Sequence, residues 1–119
     1  SVFGKRFGNG GGVTNAVIEC LKEKGESTDV KVARCSGAAE VKKALLLLKV
    51  GRLPEDFIEG MMCQGGCVGG PSNLKQEMAF KKDRDAVIAK ADGRGVWENL
   101  KNYDMDSFSM HRSYEKPEA

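Results

Sequence analysis

The spacing of apolar residues near the start of the chain predicts an amphipathic helix. Apolar side chains recur there at steps of three and four residues, which places them on one face of a helix. Gly25 ends this pattern, as glycine commonly ends a helix. Before the helix, residues 2–7 predict an edge strand or an extended arm, and residues 9–12 predict a turn. The apolar face consists of Val13, Ala16, Val17, Cys20 and Leu21.

Two short strands and a leucine-rich helix are predicted next. Residues 30–33 have the alternating character of a strand, and residues 56–59 predict a second strand. Between them, residues 40–50 predict a helix. Its four consecutive leucines, Leu45–Leu48, cover more than one helix face, so we expect this helix to be buried between layers. The order helix, strand, helix, strand predicts an α/β fold with a small parallel sheet flanked by helices.

The second half of the chain is charged, and its predicted elements are helical. Ser72 or Asn73 can cap a helix that runs towards Lys90, with only a sparse apolar side. After two glycines, residues 96–103 predict one more short helix. The sequence therefore predicts a helical C-terminal region.

The domain boundary is predicted where this helical region gives way to polar sequence. Residues 1–103 are expected to form one partial domain, and residues 104–119 a polar tail with isolated aromatic residues. The single histidine, His111, lies in this tail and is expected to face solvent.

The charge pattern argues against a nucleic-acid or membrane partner. The chain has 119 residues, with 19 basic and 17 acidic side chains mixed along it, and no basic stripe stands out. The longest apolar run, Ala44 to Leu48, is far too short to span a bilayer. The first residues lack the apolar region of a secretory signal. A soluble protein of the cytoplasm is the expectation.

Four cysteines are too few and too unevenly spaced for a disulfide scaffold. Only Cys63 and Cys67 form a close pair, and such a pair in a reducing compartment serves metal or redox chemistry more often than a disulfide. Two alternatives stay open for the pair, namely buried structural thiols and half of a zinc site. Cys20 and Cys35 are expected to be small core residues.

The cysteine pair lies in a glycine-rich segment, residues 60–71, directly after the second predicted strand. Glycine reaches positive φ at little cost, so such a loop can wrap closely around a bulky inorganic group. Thiolates are the usual ligands of iron–sulfur clusters, and a cubane normally takes four of them. This loop supplies two. By contrast, the glycine run of residues 10–12 lacks the lysine of a phosphate loop and is interpreted as a turn.

The same segment resembles the third signature of iron-only (FeFe) hydrogenases, E-x-M-x-C-x-x-G-C-x-x-G. The upstream order of Gly-Gly-Val at a helix start, strand, buried helix and strand is also similar to that family. The resemblance extends over about residues 8–70. The matching residues are Glu59, Met61, Cys63, Gly66 and Cys67, with Gly69 and Gly70 at the glycine end.

The resemblance implies a catalytic role for the loop. In this family a 4Fe-4S cubane is joined through one cysteine to a two-iron centre, together called the H-cluster. The pattern implies that Cys63 ligates the cubane, and that Cys67 ligates it and bridges to the two-iron centre. Met61 would lie against that centre, and Gly66 and Gly69 would line the cofactor. The implied reaction is the reversible reduction of protons to dihydrogen, with electrons from a ferredoxin-like carrier.

The family's other two signatures, T-S-C-C-P and M-P-C-x-x-K, are absent, and residues 71–73 read Pro-Ser-Asn where members carry further glycines and Gln-Pro. We therefore expect a C-terminal fragment, one lobe of the catalytic domain, whose partner is the N-terminal remainder of the hydrogenase chain. Alone, the fragment is expected to be inactive and to lack the cluster, and its apolar face could form a homodimer.

Two other functions are weighed against a hydrogenase. One is a hydrogenase-like iron–sulfur protein that serves assembly, electron transfer or sensing. The other is a small interaction domain without metal. For individual residues, Met61 and Met62 could simply pack in the core, which is the preferred interpretation of Met62, and Glu59 could pair with a nearby N–H group or cation.

Overall fold

The computed structural model describes residues 1–74 and 77–109 of the chain. Within these residues the helices and strands follow in the order α1 (Val2–Lys5), α2 (Gly12–Glu23), β1 (Val32–Ser36), α3 (Ala38–Lys49), β2 (Phe57–Met61), α4 (Glu77–Ala89) and α5 (Val96–Leu100). Two short 3₁₀ turns, Cys67–Gly69 and Met105–Ser107, complete the described elements.

The centre of the fold is a two-stranded parallel sheet. β1 pairs with β2 in a register that runs from Val32 opposite Phe57 to Ser36 opposite Met61. Helix α3 forms the crossover and packs on both strands. Beyond the ladder, the Gly37 N–H donates to the Met61 carbonyl at 2.7 Å, which holds the start of α3 to the end of β2. The predicted small parallel sheet flanked by helices is confirmed.

Helix α2 begins at a glycine turn that allows close backbone contact. Gly11 adopts φ +85°, and a side chain on Gly12 would overlap the carbonyl oxygen of Arg6. Both glycines are buried. The helix ends before Gly25, which adopts φ +72°. The predicted helix is therefore confirmed at both ends, and its glycine run is a turn as expected.

The first residues form a helix, so the predicted edge strand or arm is wrong. The Ser1 hydroxyl accepts a hydrogen bond from the Phe3 N–H at 3.2 Å and caps α1. This short helix contacts α2 and α4. The first strand is also displaced, because β1 covers residues 32–36 rather than 30–33. The Lys31 carbonyl accepts hydrogen bonds from the N–H groups of Asp56 and Phe57. The first paired residues of the two strands are Val32 and Phe57.

Helix α3 is not buried between layers as predicted. Leu45, Leu46 and Leu48 are 52%, 54% and 53% exposed, and only Ala44 of this helix is buried. The two strands cover one side of α3, and none of the other described elements lies over its leucine-rich side. Within the described residues the buried apolar side chains are few, namely Ala16, Cys35, Ala44 and Ile88.

The C-terminal region is helical, with shorter elements than predicted. Residues 71–74 form a turn and an irregular segment, so a helix starting at Ser72 or Asn73 is wrong, and α4 is described from Glu77. Helix α5 ends at Leu100 rather than near residue 103. Within the described residues, no helix is long and apolar enough to cross a bilayer. His111 lies outside these residues, and the predicted boundary at residue 103 stays a prediction.

A glutamate from α2 caps the last helix. The Glu23 carboxylate accepts hydrogen bonds from the N–H groups of Val96, Trp97 and Glu98, at 2.9 Å from Trp97. These are free donors at the start of α5, where negative charge is also favoured by the helix dipole. The Lys24 ammonium lies 4.7 Å from the centroid of the Trp97 ring and adds a second link.

Replacing this cap should weaken the attachment of α5. Glu23→Gln removes one acceptor oxygen and the charge, so the free energy of unfolding should fall by about 1 kcal/mol. Urea titration followed by circular dichroism and by Trp97 fluorescence measures the change. Glu26→Gln, at an exposed glutamate in the next loop, is the control and should leave the midpoint unchanged. Equal stability of both variants would contradict the capping role.

Candidate iron–sulfur ligand loop

The cysteine pair lies in a loop at the C-terminal end of β2, as predicted. We call residues 62–70 the cysteine loop; it follows the last strand residue, Met61, without a break. Ligand sites in open parallel sheets form at this edge. The strand continues two residues beyond its predicted end, and Cys67 begins the 3₁₀ turn that closes the loop.

Both cysteines of the loop line one cavity of about 360 Å³. Cys63 is half-buried, Cys67 is exposed, and both thiols are free. The cavity is also lined by Val68, Gly70, Pro71, Ser72 and Asn73. The structure thus brings together two soft ligands that could bind the same group.

The other two cysteines lie elsewhere. Cys35 is buried on β1, and Cys20 lines a separate apolar cavity beside α2. Burial raises the pKa of the Cys20 thiol, and the nearby Glu23 carboxylate raises it further. A raised pKa disfavours the thiolate that a metal needs. Cys35 agrees with the predicted core role, whereas Cys20 is half-buried at an apolar cavity rather than in the core.

Glycines give the cysteine loop its shape. Gly65 and Gly66 adopt φ +77° and +99°, which side chains rarely tolerate. Gly66 is buried, and a side chain there would overlap the carbonyl oxygen of Gly8. The spacing of the hydrogenase signature places its last glycine at Gly70. The predicted residue, Gly69, is therefore one position too early. A Cβ atom on Gly70 would lie 2.9 Å from the Cys67 carbonyl oxygen and 3.6 Å from the Cys63 sulfur.

The methionines of the signature segment have different environments. Met61 is half-buried at the end of β2, one residue before the cysteine loop. Met62 is 67% exposed, so its preferred interpretation as a core residue is wrong. Successive side chains of a strand point to opposite faces, so Met61 shares its face with the buried Glu59, two residues earlier.

Sequence reasoning missed the contacts that hold the cysteine loop. The residues before α2 bond to it twice, because the Gly10 N–H donates to the Gly65 carbonyl at 3.1 Å and the Val68 N–H donates to the Gly8 carbonyl at 3.3 Å. From the other side, the Ser36 hydroxyl accepts from the Gly65 N–H at 2.9 Å. Ser36 ends β1 just before a helix, where serine hydroxyls commonly accept hydrogen bonds. Its position was the sequence signal that could have indicated a role for this hydroxyl.

Glu59 and Thr14 form a second contact that the sequence did not reveal. Glu59 is buried and accepts hydrogen bonds from the N–H groups of Gly11 and Thr14, at 3.0 and 3.3 Å, and from the Thr14 hydroxyl. The sequence predicted either an N–H group or a cation as the partner of Glu59, and the observed partners include two N–H groups. Thr14 itself is fully buried. A charged residue inside an otherwise apolar strand segment was the clue to Glu59; Thr14 had none.

The donor set fits half of a cubane site. Thiolates are the preferred ligands of iron–sulfur clusters, and the loop presents two cysteines on one cavity, where Gly70 adds no side chain to fill the space. Over residues 1–74 and 77–109, no group of three or more candidate metal ligands comes together. Two further thiolates would therefore have to come from outside the described part of the chain.

A family model described as iron only hydrogenase large subunit, C-terminal domain, matches residues 1–71, which include the glycine turn before α2, the sheet and the cysteine loop. The chain belongs to this family. It is also similar to the periplasmic Fe hydrogenase large subunit of Nitratidesulfovibrio vulgaris, with 51% identity over 43 residues. That alignment covers 36% of this chain and 10% of the relative's length. No solved structure matches the chain.

The close approach of Gly66 to Gly8 gives a stability prediction. Gly66→Ala places a side chain at positive φ and against the Gly8 carbonyl, which should cost about 1–3 kcal/mol in the free energy of unfolding. Urea denaturation measures this cost. The control is Gly93→Ala, since open space surrounds Gly93, and it should stay within about 0.5 kcal/mol of the parent chain. Similar values for the two variants would show that the contact with Gly8 is dispensable.

Proposed function

We propose that the chain is part of an iron-only hydrogenase that catalyses the reversible reduction of protons to dihydrogen, and that it contributes two cluster ligands, Cys63 and Cys67. The observation that carries this proposal is the convergence of both thiols on one cavity at the C-terminal end of β2, in a member of the hydrogenase family. When bound, the cluster, a 4Fe-4S cubane joined to a two-iron centre, would pass electrons from a carrier to the protons that are reduced.

The two cysteines have different surroundings, which supports different roles. Cys63 is half-buried and its sulfur lies beside Gly70, so it suits a ligand of the cubane alone. Cys67 is exposed and lines the same cavity, which suits a ligand that would hold both the cubane and the two-iron centre. Met61 ends the strand beside this loop and would offer a soft, polarisable sulfur to the same region. Gly70 lines the cavity and keeps the space beside the Cys63 sulfur clear, whereas Gly66 packs against residues 8–10, and the lining role of Gly69 stays a prediction.

The missing ligands make the proposed site a shared one. A cubane normally takes four thiolates, and the cysteine loop offers two. The chain spans about a tenth of the length of the relative it matches, so we propose that an N-terminal remainder of a longer hydrogenase chain supplies the others. A ferredoxin-like electron carrier and a cytoplasmic location stay predictions, and the name of the relative assigns that protein to the periplasm.

Substituting Cys67 should abolish hydrogen turnover. In the complete hydrogenase that contains this segment, Cys67→Ser should reduce activity to the level of the iron-free enzyme, because one thiolate would hold both halves of the cluster. Cys20→Ser and Cys35→Ser are matched controls, since these thiols lie away from the cavity, and they should keep turnover. Hydrogen evolution and iron content are measured on each variant. Equal losses from the three substitutions would contradict the ligand assignment. A complete wild-type protein that holds a cubane but shows no hydrogen turnover would favour a non-catalytic iron–sulfur protein.

Iron held by this chain alone should be labile. Two thiolates leave iron accessible to water and to competing ligands, so anaerobic reconstitution should give iron that a chelator removes rapidly, and no hydrogenase activity. Iron counting and visible absorption before and after the chelator measure this. The Cys63→Ser/Cys67→Ser double variant is the blank and should hold none. A stable cubane with four protein cysteines in the isolated chain would contradict the shared site.

A further inference from the structure

Glu59 is a buried carboxylate whose hydrogen-bond partners, among the described residues, come from the start of α2. Its side chain is 5% exposed, and Thr14, which donates through both its N–H and its hydroxyl, is 1% exposed. The third donor is the Gly11 N–H. A buried charge is strongly destabilising unless it is hydrogen-bonded, and these donors together with the positive end of the helix dipole compensate it.

This contact fixes the glycine turn, which we define as residues 8–12. Gly11 adopts φ +85° with its N–H directed at Glu59, and the Gly12 backbone packs against the Arg6 carbonyl with no room for a side chain. The carboxylate and this backbone packing therefore both hold the C-terminal end of the turn. Its remaining residues are Gly8, Asn9 and Gly10.

The same turn holds the cysteine loop on both sides of Cys67. Gly66, the residue before Cys67, packs against the backbone of Gly8 and Gly10. Val68, the residue after it, donates its N–H to the Gly8 carbonyl at 3.3 Å. The Gly10 N–H also donates to the Gly65 carbonyl at 3.1 Å. The position of Cys67 therefore depends on where the glycine turn lies.

We propose that Glu59 and Thr14 are positioning residues for Cys67, acting through the glycine turn. Neither side chain lines the cavity of the two thiols, so neither is a ligand. The effect on iron rests on the proposed function above, whereas the effect on the loop does not. A carboxylate that merely caps α2 would change the stability of that helix and leave the loop amides as they are.

Amide hydrogen exchange of the 119-residue chain tests the link to the loop. The informative amides are those of Gly10 and Val68, because each closes a hydrogen bond between the turn and the cysteine loop. Glu59→Gln keeps the size of the side chain but replaces one acceptor oxygen with an amide that faces N–H donors. Exchange at Gly10 and Val68 should rise about ten- to hundredfold, as expected for loss of a buried hydrogen bond to a charged group.

Glu23→Gln is the matched control, since Glu23 also caps a helix with its carboxylate but contacts α5. It should accelerate exchange at Val96 to Glu98 and leave Gly10 and Val68 unchanged. Unchanged exchange at Gly10 and Val68 in Glu59→Gln, or the same rise in Glu23→Gln, would overturn the proposal.

A pair of substitutions at Thr14 keeps the proposal testable where Glu59→Gln does not fold. Thr14→Val preserves the shape of the side chain and removes the hydroxyl that donates to Glu59, whereas Thr14→Ser keeps this hydroxyl. Exchange at Val68 should be faster in Thr14→Val than in Thr14→Ser, and Thr14→Ser should remain close to the parent chain. The reverse order, or equal rates in both variants, would overturn the proposal.

Iron binding supplies a spectroscopic readout that a loss of stability alone would not change. With the parent chain, Glu59→Gln and Glu23→Gln reconstituted anaerobically, the visible circular dichroism of the thiolate–iron bands should change in Glu59→Gln only, with faster release of iron to a chelator. Identical spectra and release rates in the three proteins would contradict a role in placing Cys67. A parent chain that binds no iron would contradict the labile iron binding expected of the two thiols, while the exchange rates would still decide the positioning role.

Discussion

A buried carboxylate needs hydrogen-bond donors, and this requirement determines how the start of α2 and the cysteine loop are arranged in this chain. Glu59 stands near the end of β2, on the inner side of a strand that carries the cysteine loop. Its donors lie almost fifty residues earlier, at the start of α2. The requirement to pair them brings the glycine turn, the sheet and the two thiols together, and no contact local in sequence could do so.

The fold and the site differ in how far the sequence predicts them. The parallel strands and the position of Cys63 and Cys67 follow from local patterns, because a strand that runs into a glycine-rich loop has few arrangements available. The exposure of Leu45, Leu46 and Leu48 could not be predicted in this way. An apolar run indicates that a side chain can be buried, whereas the number of layers that cover it depends on the rest of the assembly.

The contacts that hold the loop were beyond prediction for a different reason. The bonds from Gly10 to Gly65 and from Val68 to Gly8 join backbone groups, and backbone groups have no sequence pattern of their own. Thr14 offers the same hydroxyl as any threonine at a helix start. Only the tertiary arrangement shows that its partner is Glu59, and family membership alone would not have revealed this contact.

The contact between Gly66 and Gly8 also limits how this protein can change. A side chain on Gly66 would overlap the backbone of Gly8 and Gly10, and no substitution at those two glycines could relieve the overlap, because neither has a side chain to lose. Gly66 should therefore stay fixed as the sequence diverges, because its position requires a backbone shape that leaves no space for a side chain, rather than the chemistry of one.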